Sequence, residues 1–355
     1  MEKRQFLKYG LSVAGLSVLN PAWPMPSNSS KAIFTSNPLL KTHAPEGWMG
    51  TPQSDKDRFR NINHPFIPSF SSVLKWKSGG NPQEHEKKMD TWKADFQADG
   101  DFLSRKDDCL VWLGHASFFI RMEGVNILID PVFGKATVVK RKQSSPYPPE
   151  VWTGIDILLI SHDHRDHCDF PSLQKLARIN PNMKVLTGLG MKKLLSRIFP
   201  ADSIEEAGWY QKYTKSSFPE IWFTPSRHWS RRGLTDTNQR LWGGFYISGS
   251  KQIYFMGDSG YDTHFANIPG LHESPDLALM GIGAYSPEWF MHPSHMSPED
   301  SWKSFLELKA DRMIPMHYAT FDLSDEPAGE PLKRLQSVAN STDLLIPAIG
   351  KTNWI

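Results

Sequence analysis

Seven consecutive residues, Ser161-His162-Asp163-His164-Arg165-Asp166-His167, place three histidines and two aspartates in six positions. Side chains alternate along an extended loop, so His162 and His164 point the same way. A short turn then lets Asp166 and His167 face a second point nearby. Neutral imidazoles and carboxylates at this spacing are ligands for a borderline metal such as zinc. The segment directly follows Ile155–Ile160, an apolar run of strand length. A ligand-rich loop at the end of a buried strand is where a site is built on a rigid scaffold.

The elements that must hold this loop can be read from apolar runs punctuated by glycine and turn residues. Strands are expected at 109–113, 117–121, 126–129, 155–160, 185–187, 221–224, 244–247, 252–256, 277–280 and 313–316. Helices are expected at 170–180, 191–198 and 298–308, the last opened by Ser297 as a cap with Glu299 and Asp300 on the positive end of the dipole. Strands interspersed with helices predict an α+β protein in which sheet packs on sheet with helices outside.

The string His162-x-His164-x-Asp166-His167 resembles the signature of the metallo-β-lactamase fold superfamily, whose fold is an αββα sandwich of two mixed sheets with helices on both outer faces. The resemblance implies further ligands downstream: His228 after Thr224-Pro225-Ser226-Arg227, Asp258 in Gly257-Asp258, and His317 after Ile314-Pro315-Met316. It assigns His162, His164 and His228 to one metal, Asp166, His167 and His317 to the other, and makes Asp258 the bridge. Two Zn2+ are expected, other divalent transition metals also fitting such ligands. The diiron branch carries glutamate at the position of His164, and histidine here favours a zinc hydrolase.

Blocks around the ligands resemble one branch more narrowly, the N-acylphosphatidylethanolamine-hydrolysing phospholipase D family. They are Trp112-Leu113-Gly114-His115-Ala116-Ser117, Ile129-Asp130-Pro131, Leu241-Trp242-Gly243-Gly244-Phe245, Ile282-Gly283-Ala284-Tyr285 and His295-Met296-Ser297-Pro298-Glu299. The implied reaction is cleavage of a phospholipid-like phosphodiester by a hydroxide shared between the metals. Asp166 and His295 are the expected catalytic residues. His115 and Asp130 are expected to orient ligands or line the substrate mouth. The alternatives are hydrolysis of a lactone, thioester or other ester on the same centre, or a non-catalytic metal-binding protein.

The chain has 355 residues, 13 histidines and 2 cysteines. Two cysteines exclude a disulfide framework and a Cys-rich zinc site. The net charge is +2, and Lys3, Arg4 and Lys8 against Glu2 account for all of it. The neutral remainder gives no footprint for nucleic acid and no general attraction to anionic membranes. Any peripheral membrane contact must be local and apolar. Lys140-Arg141-Lys142 and Arg231-Arg232 are candidates for a phosphate headgroup.

Residues 1–30 read as an export signal: a basic start, then an apolar run from Gly10 to Leu19 too short for the roughly 20 residues a spanning helix needs. Lys3-Arg4-Gln5-Phe6-Leu7-Lys8 is similar to a twin-arginine signal, so a periplasmic location is expected, with a cytoplasmic one as the alternative and a Cys109–Cys168 disulfide open. Residues 31–105 are expected to form an arm, extended at Pro65–Pro68 and Ser72–Lys77, that packs by its aromatics. Residues 106–355 are the expected hydrolase domain.

Overall fold

The structure, a computed structural model, describes residues 33–54, 57–66, 69–136 and 139–355. The expected export signal lies outside the described residues, as do Ile67 and Pro68 of the arm.

Two strands open the described chain, β1 (Ile33–Thr35) and β2 (Thr51–Gln53), paired antiparallel. Three helices follow: α1 (Phe70–Ser78), α2 (Glu84–Met89) and α3 (Asp101–Ser104). Ser72–Lys77 is therefore helical and not extended. The Ser69 hydroxyl accepts the Ser72 N–H at 3.1 Å and caps the helix, satisfying a donor the first turn cannot.

The body begins with β3 (Cys109–Gly114), β4 (Ser117–Met122), β5 (Val125–Ile129) and β6 (Ile157–Ile160). Then come α4 (Phe170–Ile179), β7 (Lys184–Gly188), α5 (Lys192–Leu195), β8 (Ile204–Ala207), β9 (Gln211–Lys212) and β10 (Glu220–Thr224). The chain continues through β11 (Gly244–Ser248), β12 (Gln252–Phe255), α6 (His264–Leu271), β13 (Leu277–Gly281), α7 (Glu288–Met291) and α8 (Pro298–Leu308). It ends with β14 (Arg312–Met316), α9 (Glu330–Val338) and β15 (Thr352–Trp354).

Among the described residues, one sheet runs β15-β3-β4-β5-β6-β7-β8 and the other β14-β13-β12-β11-β10-β9. In the first, β3 and β6 are apolar on both faces because both are covered. On β3, Leu110 and Trp112 join the cluster between the sheets, while Cys109, Val111 and Leu113 join the one under α4. On β6, Ile157 and Leu159 face inward, and Leu158 and Ile160 meet Leu173 and Leu176 of α4. The second sheet is covered by α8, which packs on β13 and against α6 and α9. The fold is the expected α+β sandwich of two sheets with helices on both outer faces. Cys109 and Cys168 are buried and free, so no disulfide joins them.

Chain direction brings one end of the sandwich together. Strands β5, β6 and β7 run parallel in one sheet, and β12, β13 and β14 in the other. Asp130 follows β5, the 161–167 loop follows β6, Asp258 follows β12 and His317 follows β14. The β10–β11 register pairs Thr224 with Gly244, which turns the 225–243 loop out at the same end. His115 sits in the tight turn between β3 and β4.

Candidate metal centre

Four side chains converge first. His164 Nδ1 lies 3.0 Å from His162 Nε2 and 3.0 Å from His228 Nε2. Asp258 Oδ2 is 3.8 Å from each of those Nε2 atoms. A second group gathers His115, Asp166, His167 and His317. In it, His115 Nε2 is 2.9 Å, His167 Nε2 3.5 Å and His317 Nε2 3.6 Å from Asp166 Oδ2. Asp258 joins the two, because its Oδ2 is 3.2 Å from His167 and its Oδ1 3.1 Å from His317.

Partners behind the site settle which ring nitrogens carry protons. The Ser161 hydroxyl donates to Asp130 at 2.5 Å and so accepts from His162 Nδ1 at 2.9 Å. Asp130 also accepts from His167 Nδ1 at 2.8 Å. The Ser294 carbonyl, which can only accept, takes His228 Nδ1 at 3.0 Å. In the neutral form His162, His167 and His228 therefore all aim an Nε2 lone pair into the site; burial opposes a charge on His167, but Asp258 and Asp166 outweigh it and raise its pKa well above the ordinary value. His164 Nδ1 can donate to at most one of its two neighbours, so a lone pair meets a lone pair across one 3.0 Å contact. His167 Nε2 and His317 Nε2 are buried with no hydrogen-bond partner, each facing carboxylate oxygens. Ring nitrogens and carboxylates crowded this closely make a place for a cation. The residues fit one metal held by His162, His164, His228 and Asp258, and another held by Asp166, His167, His317 and Asp258.

Electrostatics agree. Burial drives the pKa of His115 and His228 down to about 3 and that of His164 to about 4, leaving them in the neutral form a metal binds. Burial acts the same way on His317, but Asp258 and Asp166 outweigh it and raise the pKa to about 9. Burial opposes ionisation of Asp258, yet His167 and His317 hold its carboxyl well below the ordinary range. The two carboxylates thus create a place for positive charge.

The backbone is bent to reach this geometry. His317 adopts φ 62°, His115 φ 55° and Asp130 φ 41°, a region that costs side chains of this kind about 1–3 kcal/mol and recurs at functional sites. Gly257, at φ 66°, has no alternative, since a Cβ there would sit 2.4 Å from the Gly243 carbonyl oxygen.

His295 lies beside both groups. Its Nδ1 is 3.9 Å from Asp258 Oδ2, and its ring centroid is 5.1 Å from that of His228 and 5.2 Å from that of His317. Burial pushes its pKa well below the ordinary value. His292 is not drawn in and meets Asp300 at 3.1 Å instead.

A cavity of about 440 Å³ opens on the centre. Phe66, Trp76, Val139, Phe290 and Leu323 make much of its wall, with Trp229, Arg165 and Arg231 near the ligands. Trp76 of α1 stacks on Phe290 of α7 at 5.1 Å and donates its indole N–H to Asp325 at 3.0 Å. Of the basic segments considered for a headgroup, Arg141 is instead a brace, donating to the Val132 and Leu113 carbonyls at 2.6 Å each.

Several residues that position the centre carry no motif. Asn61 accepts the His228 N–H at 3.0 Å and the Trp242 indole N–H at 3.1 Å. Asp163, between two ligands, is buried and accepts the Arg231 N–H at 3.0 Å and Arg240 Nε at 2.5 Å. Its acidic side chain inside the ligand string was the one available signal.

A family model described as a Beta-lactamase superfamily domain matches residues 125–318. A Caenorhabditis elegans protein named N-acyl-phosphatidylethanolamine-hydrolyzing phospholipase D 1 is 30% identical over 292 residues, covering 77% of this chain and 82% of its own. A Saccharomyces cerevisiae protein named N-acyl-phosphatidylethanolamine-hydrolyzing phospholipase D, mitochondrial, is 31% identical over 258 residues, 68% of this chain and 54% of its own. Among solved structures, Igni18, a metallo hydrolase from Ignicoccus hospitalis, superposes with TM-score 0.55 at 22% identity, over 69% of this chain and 97% of that one. An isothiocyanate hydrolase from Delia radicum gut bacteria gives 0.57 at 19% identity, over 69% and 98%. At these identities the two structures speak for the fold alone.

Proposed function

The chain belongs to the β-lactamase superfamily of metal-dependent hydrolases, and from that premise we propose that it is a dizinc phosphodiesterase of the N-acylphosphatidylethanolamine phospholipase D kind. The observation that carries this reading is the joining of a two-group ligand set through Asp258 to an aromatic and aliphatic cleft of about 440 Å³. Relatives named for that activity at about 30% identity support it. Zinc, when bound, would acidify a water and neutralise charge on the phosphoryl oxygens.

The protein's own side chains supply the rest. His162, His164 and His228 would hold one ion, Asp166, His167 and His317 the other, and Asp258 both. His115 fixes Asp166 at 2.9 Å, so that this carboxylate can receive the proton lost by the nucleophile. His295, kept neutral by burial, stands where it can orient the phosphodiester. Trp76, Phe290 and Leu323 exclude water and receive acyl chains. Leu74 and Trp289, 58% and 50% exposed on α1 and α7, suit a local apolar contact with a membrane. The residue pattern from Lys3 to Leu19 supports export to the periplasm.

The test is a substrate panel on purified, zinc-loaded protein. N-Acylphosphatidylethanolamine should yield phosphatidic acid and an N-acylethanolamine, with activity lost to chelator. Preferential turnover of lactones or thioesters would replace the phosphodiesterase reading with the ester-hydrolase one.

A further inference from the structure

A second cavity, of about 540 Å³, lies beside the cleft and takes no part in the chemistry above. Five cationic side chains line it, Lys135, Arg165, Arg197, Arg232 and Arg240, against the two carboxylates of Asp169 and Asp236. Both carboxylates are engaged. Asp236 pairs with Arg240, which also binds buried Asp163. Asp169 caps α4, accepting the Ser172 N–H at 3.0 Å and its hydroxyl at 2.6 Å.

Among the described residues, Lys135, Arg165, Arg197 and Arg232 make no ion pair. Arg232 is nevertheless held rigidly. Its Nη1 donates to the Asp163 and Cys168 carbonyls at 2.8 and 2.7 Å, and its guanidinium lies 4.2 Å from the Phe170 ring centroid. Arg165 reaches toward it, with Nη2 3.5 Å from the Arg232 carbonyl oxygen. Neutral partners fix the Arg232 charge without cancelling it.

Five cations against two carboxylates leave the walls of this cavity with a surplus of positive charge, which favours an anion among them. The cluster is not part of a generally basic surface, because the chain beyond its first 30 residues carries no net charge. Guanidinium groups match the oxygens of a phosphate two at a time. Arg165 borders this cavity and the catalytic cleft alike, between the ligands His164 and Asp166.

We propose that this cavity is an anion subsite, outside the metal centre, that binds a phosphate group through Lys135, Arg165, Arg197 and Arg232. The phosphate is either a second anionic group carried by the substrate's polar end or a free phosphomonoester. Its assignment to the substrate rests on the phosphodiesterase reading, whereas the binding does not.

Lys135 and Arg197 are exposed and make no hydrogen bonds among the described residues, so K135E/R197E and the milder K135Q/R197Q spare the fold. sn-Glycerol 3-phosphate is titrated calorimetrically into the zinc-loaded protein and both variants, at matched metal content. Losing two charged partners should raise Kd by about tenfold or more in K135E/R197E, and by less in the milder variant. Binding that both variants leave unchanged overturns the subsite, the anion then being held only at the metals.

Two short-chain phosphodiesters, one with a phosphorylated and one with a neutral headgroup, separate the sources. A substrate-borne phosphate predicts a higher kcat/KM for the phosphorylated headgroup, with the ratio falling toward one in K135E/R197E. A free phosphate predicts a ratio near one, and a shift in KM on adding glycerol phosphate that the variants abolish. Turnover of neither diester removes the phosphodiesterase reading, while the calorimetry still decides the subsite.

Discussion

The carboxylate of Asp130 accepts the Nδ1 proton of His167 at 2.8 Å. Through Ser161 the same carboxylate also fixes His162, so one buried acid sets the tautomer of a ligand in each half of the centre. Asp130→Asn would turn an amide N–H toward His167 or Ser161, donor against donor. A flipped His167 tautomer puts the proton on Nε2 and removes the lone pair. Zinc affinity should fall by about 10–100-fold, measured by competition with a chromophoric chelator. An unchanged affinity would show that His167 needs no such partner.

His295 and Asp258 lie 3.9 Å apart and should separate sharply as variants. Asp258→Asn should lose both metal and activity, because that carboxylate serves both ligand groups. His295→Ala should keep about two metals per chain and lose turnover by roughly 10²–10⁴-fold. Elemental analysis and kcat on the same preparations check this. Metal loss in the His295 variant would move that residue among the ligands.

Trp76 supplies an aromatic wall from α1, whose place over the cleft rests on Phe290 and Asp325. Trp76→Ala should raise KM for a long-chain substrate by roughly 10–100-fold, the equivalent of about 1.5–3 kcal/mol of apolar contact. A small aryl phosphodiester should respond far less. Equal effects on both substrates would remove α1 from substrate binding.

Asp163 is fully buried against Arg240, whose side chain is 11% exposed. Asp163→Ala strands that guanidinium and should cost about 3–5 kcal/mol in denaturant unfolding. A loss under 1 kcal/mol would mean that Asp236 alone suffices for Arg240.

How far these roles can be read from residues alone differs by kind. His162, His164, Asp166 and His167 are visible because four ligand-type residues crowd behind one apolar strand. His228, Asp258 and His317 are scattered over the rest of the chain and emerge only through resemblance. Asn61 and Ser294 could not be found so, since one is a single asparagine within a polar stretch of the arm and the other acts through a backbone carbonyl. Strands such as β3 and β6 stand out because both faces are apolar. Helix α1 does not, since Pro65 and Pro68 precede it and its tertiary partners Phe290 and Asp325 lie more than 200 residues away. The short β8 and β9 escape for a similar reason, being carried by neighbours and not by their own pattern.

We propose that water attacks phosphorus at the centre joined by Asp258. Hydrolysis of N-acylphosphatidylethanolamine by the zinc-loaded protein in ¹⁸O-labelled water, with products read by mass spectrometry, tests it directly. One ¹⁸O should appear in the phosphate of phosphatidic acid and none in the N-acylethanolamine, and chelator should abolish both products. Label in a released fatty acid, or turnover that survives chelation, would contradict the account.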